Sequence, residues 1–402
     1  MPGLETLALS VVAGRGARSE DEERSGWSHL LEHMVFKGAG DRSARDIVEV
    51  IEAQGGQINA ATGYERTSFQ VRALKGGLDL GSAVLADLVQ RPTMDAGDLA
   101  REVQVVGQEI AEAADTPDDH VFEMAQDAAF AGQPLGRPIL GTDASIARAD
   151  PARLSDWRAQ LYAPDTLVIS ASGAVDEDEL LALAERDFGA AAGVGVQPPS
   201  PAGFQGGARR LAKPLEQANL VFLLPAVGVR DPAYFALRLF AEILGGGMAS
   251  RLFQEAREKR GLAYAVDAYS ETYADTGVLG IFAGCAAKDA AELARVAAGE
   301  VKGMAGGVKQ AELARAKAQL KASMFMAREQ PLSRAEQAAA QVLLFDRTLP
   351  PAELAEQIDA VAPADLEALG AQMLAQGRSA GGVLGPKLAL KGVDAFQAAL
   401  FG

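Results

Sequence analysis

Residues 26–38 read Gly26-Trp27-Ser28-His29-Leu30-Leu31-Glu32-His33-Met34-Val35-Phe36-Lys37-Gly38. The apolar run Ser28–Phe36 predicts a short helix between two glycine punctuators. On that helix His29 and His33, four residues apart, share a face about one turn apart, where two imidazoles can hold one metal ion. Glu32 flanks the same face. Metal-assisted hydrolysis needs two or three neutral or anionic protein ligands, an open position for water, and a nearby carboxylate to take that water's proton. H-x-x-E-H supplies two ligands and the base within one turn, the inverted zincin arrangement. The whole chain has three histidines, so chance is a poor source of this pairing.

A third ligand has to come from outside this turn. A long helix is predicted after Asp95, which fits an N-cap, and its pattern breaks near Thr116-Pro117. Glu102, Glu109 and Glu112 lie on it. Glu102 and Glu109 are seven apart and share a face, although spacing alone reads each as a solvated side chain on an acidic helix. His120 has no partner at helical spacing and reads as a surface or capping histidine.

Further outward, Leu7–Ala13 reads as a strand. Ser43 opens a helix with Asp46 as its acidic capping partner; it runs through Ile47, Val50 and Ile51 and stops at Gly55-Gly56. Residues 57–74 alternate as a pair of strands. The Gly/Pro-rich stretch 189–207 reads as a linker. Beyond it the order repeats: a strand at Leu220–Leu224, a helix at Pro232–Leu244, a helix at Ser250–Lys259, then strands over Ala263–Gly284. Laying Ser43–Ala73 over Ser250–Gly284 sets Gly56 opposite Gly261, which suggests a duplicated unit of about 200 residues. The expected fold is therefore α+β: two similar domains, 1–190 and 208–402, each a mostly antiparallel β-sheet packed by α-helices. Only the first carries histidines in its leading helix.

Composition narrows the partners. The chain has 402 residues, 49% hydrophobic and 23% charged, enough for two cores. Its 38 Lys+Arg against 54 Asp+Glu leave a net charge of −16, which argues against a phosphate backbone as partner. No run of about 18 apolar residues predicts a membrane span, and residues 1–6 lack a secretory pattern, so a cytoplasmic protein is expected. The single cysteine, Cys285, excludes an intrachain disulfide framework and fits a buried side chain in a reducing compartment.

The motifs together resemble the pitrilysin and mitochondrial-processing-peptidase family of zinc peptidases. The matching residues begin with Gly14-x-Gly16-Ala17-Arg18-x-Glu20 and continue through Gly26-x-Ser28-His29-Leu30-Leu31-Glu32-His33-Met34-x-Phe36-Lys37-Gly38. Gly55-Gly56-x-Ile58-Asn59-Ala60-Ala61-Thr62 and Glu65-x-Thr67 follow. The resemblance implies one zinc per chain, held by His29, His33 and Glu109, with Glu32 as base and Glu102 orienting the site. It extends to Gly245-Gly246-Gly247-Met248-Ala249-Ser250-Arg251-Leu252-Phe253, and to Arg257 and Tyr264, at the spacing of a pair the family uses against the substrate carbonyl. Asn59-Ala60-Ala61 match the edge strand along which members bind an extended peptide. Family members also carry a strand ahead of the position matching Met1, which has no counterpart in this sequence. Trp27 and Ala17 stand where an aliphatic residue and a serine are usual. The implied activity is hydrolysis of unfolded or short polypeptides by a homodimer, with a heterodimer of related chains as the alternative assembly. A non-catalytic structural subunit of a related complex is the rival reading, and the intact ligand-and-base set speaks against it.

Overall fold

Strand β1 (Thr6–Ala13) is buried at every position after the first, Ser10 included, as in a strand covered on both faces. In the computed structural model, which describes Met1 and residues 3–402, it is an interior strand of the first of two compact units. Unit 1 comprises Met1–Ala111, Pro138–Ser200 and Phe325–Leu349; unit 2 comprises Glu112–Arg137, Pro201–Met324 and Pro350–Gly402.

In unit 1, helix α1 (Trp27–Val35) leads into a small ladder, β2 (Gly38–Ala39) with β3 (Arg42–Ser43), and then helix α2 (Ala44–Glu52). Ser43 and Asp46 form the expected capping box at the start of α2. The predicted strand pair is β4 (Gln57–Thr62) and β5 (Thr67–Leu74). Helix α3 (Leu78–Gln90) precedes α4 (Ala96–Asp115), whose first turn Asp95 caps through the backbone N–H groups of Gly97 and Asp98. With β6 (Leu167–Gly173) the sheet runs β4-β5-β1-β6, every pair antiparallel. Leu30, Leu31 and Met34 of α1 are fully buried in the core with Leu9, Val11 and Phe69. Each such side chain contributes about 1.5–3 kcal/mol of burial. That stripe turns the opposite face of α1, with both histidines, away from the core.

In unit 2 the sheet is built from β7 (Gly207–Ala212), β8 (Ala218–Ala226), β9 (Ala263–Thr272), β10 (Gly277–Cys285) and β11 (Ala380–Gly385). Its order is β7-β11-β8-β10-β9, antiparallel except for β7 with β11. Matching β8, β9, β10 and β11 to β1, β4, β5 and β6 reproduces the order of unit 1, so the repeat read in the sequence is a repeat of topology. The left-handed glycines that close the helix before the strand pair are Gly55 (φ 71) and Gly261 (φ 61), one residue from the expected Gly56 alignment. The helix expected at Ser250–Lys259 is wound as a π-helix over Phe253–Lys259, a form concentrated at functional sites. Cys285 is buried, and burial pushes its thiol up to about 12. His120 is a capping histidine, its Nδ1 2.9 Å from the Ala114 carbonyl at the end of α4. Among the described residues no helix is long and apolar enough to cross a membrane.

Candidate metal centre

Gly26, at φ 88, precedes α1, and a Cβ there would fall 2.4 Å from the Leu140 carbonyl oxygen, so only glycine fits. The N-terminus of α1 has no side-chain cap of its own. Instead the buried Glu20 carboxylate accepts from the backbone N–H of Gly26 (2.8 Å) and of Ser28 (2.6 Å). A carboxylate there also matches the positive end of the helix dipole. The Trp27 indole N–H donates to the Ser145 carbonyl at 3.0 Å, and that of Trp157 to Ser28 Oγ at 3.3 Å. The turn that carries His29 is therefore anchored on several sides.

The His29 and His33 rings lie 4.7 Å apart between centroids. Glu109, from α4, brings Oε2 to 3.8 Å from His29 Nε2 and 3.6 Å from His33 Nε2. These separations are too long for hydrogen bonds. One ligand atom from each residue lies within 4.8 Å of the others, a spacing that suits a shared ion. His33 Nδ1 is 3.0 Å from Glu102 Oε2. A carboxylate there can only accept, which puts the proton on Nδ1 and leaves the Nε2 lone pair facing Glu109. Glu102 also takes the Lys37 ammonium at 2.7 Å. Burial alone would raise the Glu102 pKa, but the hydrogen bonds from Lys37 and His33 outweigh it and hold the group below the usual carboxylate range.

The donor set fits a divalent cation. Glu109 Oε2 is a buried carboxylate oxygen with no hydrogen-bond partner, and His29 Nδ1 is likewise buried and unpartnered. An unsatisfied buried anionic oxygen is costly unless a cation meets it. Burial, reinforced by the neighbouring His33, lowers the His29 pKa to about 4, so its imidazole is neutral and free to ligate at pH 7. Two imidazoles and one carboxylate are a ligand set typical of catalytic zinc.

Beside the cluster, Thr62 Oγ1 donates to Glu32 Oε2 at 2.5 Å. Burial raises the Glu32 pKa, opposed by the Thr62 hydrogen bond and by His33. A carboxylate shifted upward is better matched to taking a proton near neutral pH. Asn59, Ala60 and Ala61 lie on β4, the outer strand of the unit 1 sheet, with Ala60 inward and its neighbours exposed. Arg257 and Tyr264 belong to unit 2. The Arg257 guanidinium sits 4.8 Å from the Phe253 ring centroid within the π-helix, and Tyr264, on β9, is 60% exposed. Sequence reasoning gave no role to Thr62, Glu20 or Lys37. Strand alternation that sets Thr62 on the inward face with Ala60 was the available signal for the first.

Known proteins match this chain over most of its length. A family model described as insulinase (peptidase family M16) matches residues 2–143, and one described as the peptidase M16 inactive domain matches residues 148–320. An uncharacterized zinc protease of Rickettsia bellii is 37% identical over 91% of this chain and 89% of its own. One from Mycobacterium tuberculosis is 33% identical over 96% and 90% respectively. A protease from Helicobacter pylori superposes with TM-score 0.87 at 20% identity, covering 95% of each chain. A chain of complex III2 from Candida albicans superposes with TM-score 0.86 at 20% identity, over 100% of this chain and 95% of its own. At that identity both structures speak for the fold alone.

Proposed function

The chain belongs to the M16 peptidase family, and on that premise we propose that it is a zinc-dependent endopeptidase acting on unfolded or short polypeptides. The observation that carries this reading is the meeting of Glu109 Oε2 with the two imidazole Nε2 atoms beside a half-buried, hydrogen-bonded Glu32. His29, His33 and Glu109 would hold one zinc per chain. Bound there, the metal would supply Lewis acidity toward the peptide carbonyl and make a water acidic enough to attack near pH 7.

The chain's own groups do the rest. Glu32 takes the water proton on its carboxylate and later hands it to the leaving amine. Thr62 keeps that carboxylate in one orientation, and Glu102 fixes the His33 tautomer. Substrate pairs as an extended strand along Asn59–Ala61, since β4 is an outer strand with one hydrogen-bonding edge unpaired. Arg257 and Tyr264 stabilise the oxyanion as a cation and a phenol, contributed by the second copy of a homodimer.

The rival reading is a non-catalytic structural or partner subunit of a related peptidase complex. Retention of all three ligands and the base favours catalysis. Zinc content measured together with cleavage of a mixed peptide library, with and without chelator, tests the proposal. Zinc near one per chain and chelator-sensitive cleavage are expected. Stoichiometric zinc without cleavage of any library member would favour the non-catalytic reading.

A further inference from the structure

A cavity of about 660 Å³ is lined by Gln57, Ile58 and Asn59 of the outer strand β4, and none of His29, His33 and Glu109 lines it. One wall is apolar: Phe36, Val48 and Ile58 line it. Phe36 and Ile58 rest on the unit 1 core, and Val48, on α2, is 37% exposed. The other wall is polar, with Gln57 and Asn59 beside their cross-strand partners Arg72 and Gln70. Its groups are already engaged, Arg72 with Gln57 and Gln70 with Ser68 and Glu336. An incoming group therefore has more to gain from the apolar wall. The carboxylate of Glu52 at the same cavity disfavours an acidic side chain there.

Alternation along β4 sets Ile58 on the face of Ala60 and Thr62, and Gln57 and Asn59 on the other. A strand added at this edge would alternate in the same way, one side chain entering the apolar wall and its neighbours meeting the polar one. Ile58 lies four positions before Thr62, which holds Glu32, a separation of about 13 Å along a strand.

We propose that this cavity is a specificity pocket that receives an apolar side chain of the bound peptide, three to five residues from the bond cut. The inference rests on the peptidase reading and adds to it a preferred class of substrate. Cleavage-site profiling of a peptide library with the zinc-loaded full chain tests it. Leu, Ile, Val or Phe should be enriched over Asp by about tenfold or more at a single position in that range, as burial of one such side chain implies. Val48→Asp should reduce that enrichment to about twofold or less by opposing the same burial, while Val48→Ile preserves it. Affinities of a Leu/Asp peptide pair for the zinc-loaded, inactive Glu32→Gln chain should show the same discrimination without turnover. Cleavage with no apolar preference in that range, a basic preference instead, or a preference that survives Val48→Asp would each overturn the pocket and leave the peptidase reading standing. No cleavage by the zinc-loaded wild type would overturn both.

Discussion

Thr62 Oγ1 lies 2.5 Å from Glu32 Oε2, a hydrogen bond from the end of the edge strand to the carboxylate between the two histidines of the candidate metal centre. One residue thus ties the strand on which substrate would pair to the group that would move the proton. Thr62→Val keeps the shape and β-propensity and removes the donor. We expect kcat to fall by about 10- to 100-fold, as for a misplaced catalytic group, with zinc content unchanged. Thr62→Ser should restore most of the rate. Equal losses in Thr62→Val and Thr62→Ser would point to packing of the methyl group instead.

Glu32→Gln removes the base and no ligand. Peptide hydrolysis should be abolished while zinc stays near one per chain by elemental analysis. Zinc loss or full activity in this variant would remove Glu32 from its role.

Glu109 and Glu102 share a face of α4 but differ in what they touch. Glu109→Gln leaves two imidazoles and should weaken zinc binding by about tenfold or more in a competition titration. Glu102→Gln should retain more zinc than Glu109→Gln while lowering activity, because it loosens His33 without removing a donor. The reverse order of zinc retention would mean that the two glutamates have exchanged roles.

His29 gives the metal-free protein an acid sensitivity. Burial, helped by His33, holds its pKa at about 4 against an ordinary 6.5, so the folded chain binds fewer protons than the unfolded chain between those values. Stability from this group is complete above pH 6.5 and is lost as pH falls toward 4. The loss amounts to something on the order of 3 kcal/mol. Urea melts of chelator-treated protein at pH 7.5 and 5 should show a larger drop for wild type than for His29→Gln. Identical drops would place the sensitivity elsewhere.

Both motif halves occur in one sequence, His29 to His33 and Arg257 with Tyr264, which is the basis for expecting a homodimer. A Glu32→Gln chain and an Arg257→Ala/Tyr264→Phe chain should each be crippled alone. Mixed and allowed to exchange, they should regain up to about half the wild-type activity per hybrid dimer, since one of its two sites is intact. A mixture that stays inactive despite demonstrated exchange, or a fully active monomer in sedimentation, would count against assembly across copies.

By itself the sequence determined what is local or periodic. The i, i+4 histidines, the Ser43/Asp46 capping box, the Asp95 cap and the strand pair after Gly55-Gly56 are each written in a few adjacent residues, so spacing and side-chain chemistry suffice to read them. The α+β repeat was legible because the order of elements recurs along the chain. Glu109 was reached through resemblance, since on an acidic helix its spacing did not separate it from Glu112. Tertiary structure alone decided that Glu109 Oε2 is buried without a hydrogen-bond partner beside two imidazoles, and that Thr62 reaches Glu32. It also divided the chain so that residues 112–137 belong with the second sheet and residues 325–349 with the first. These are contacts between segments far apart in sequence, fixed by how buried faces pack, and no periodicity within a segment encodes its distant partner.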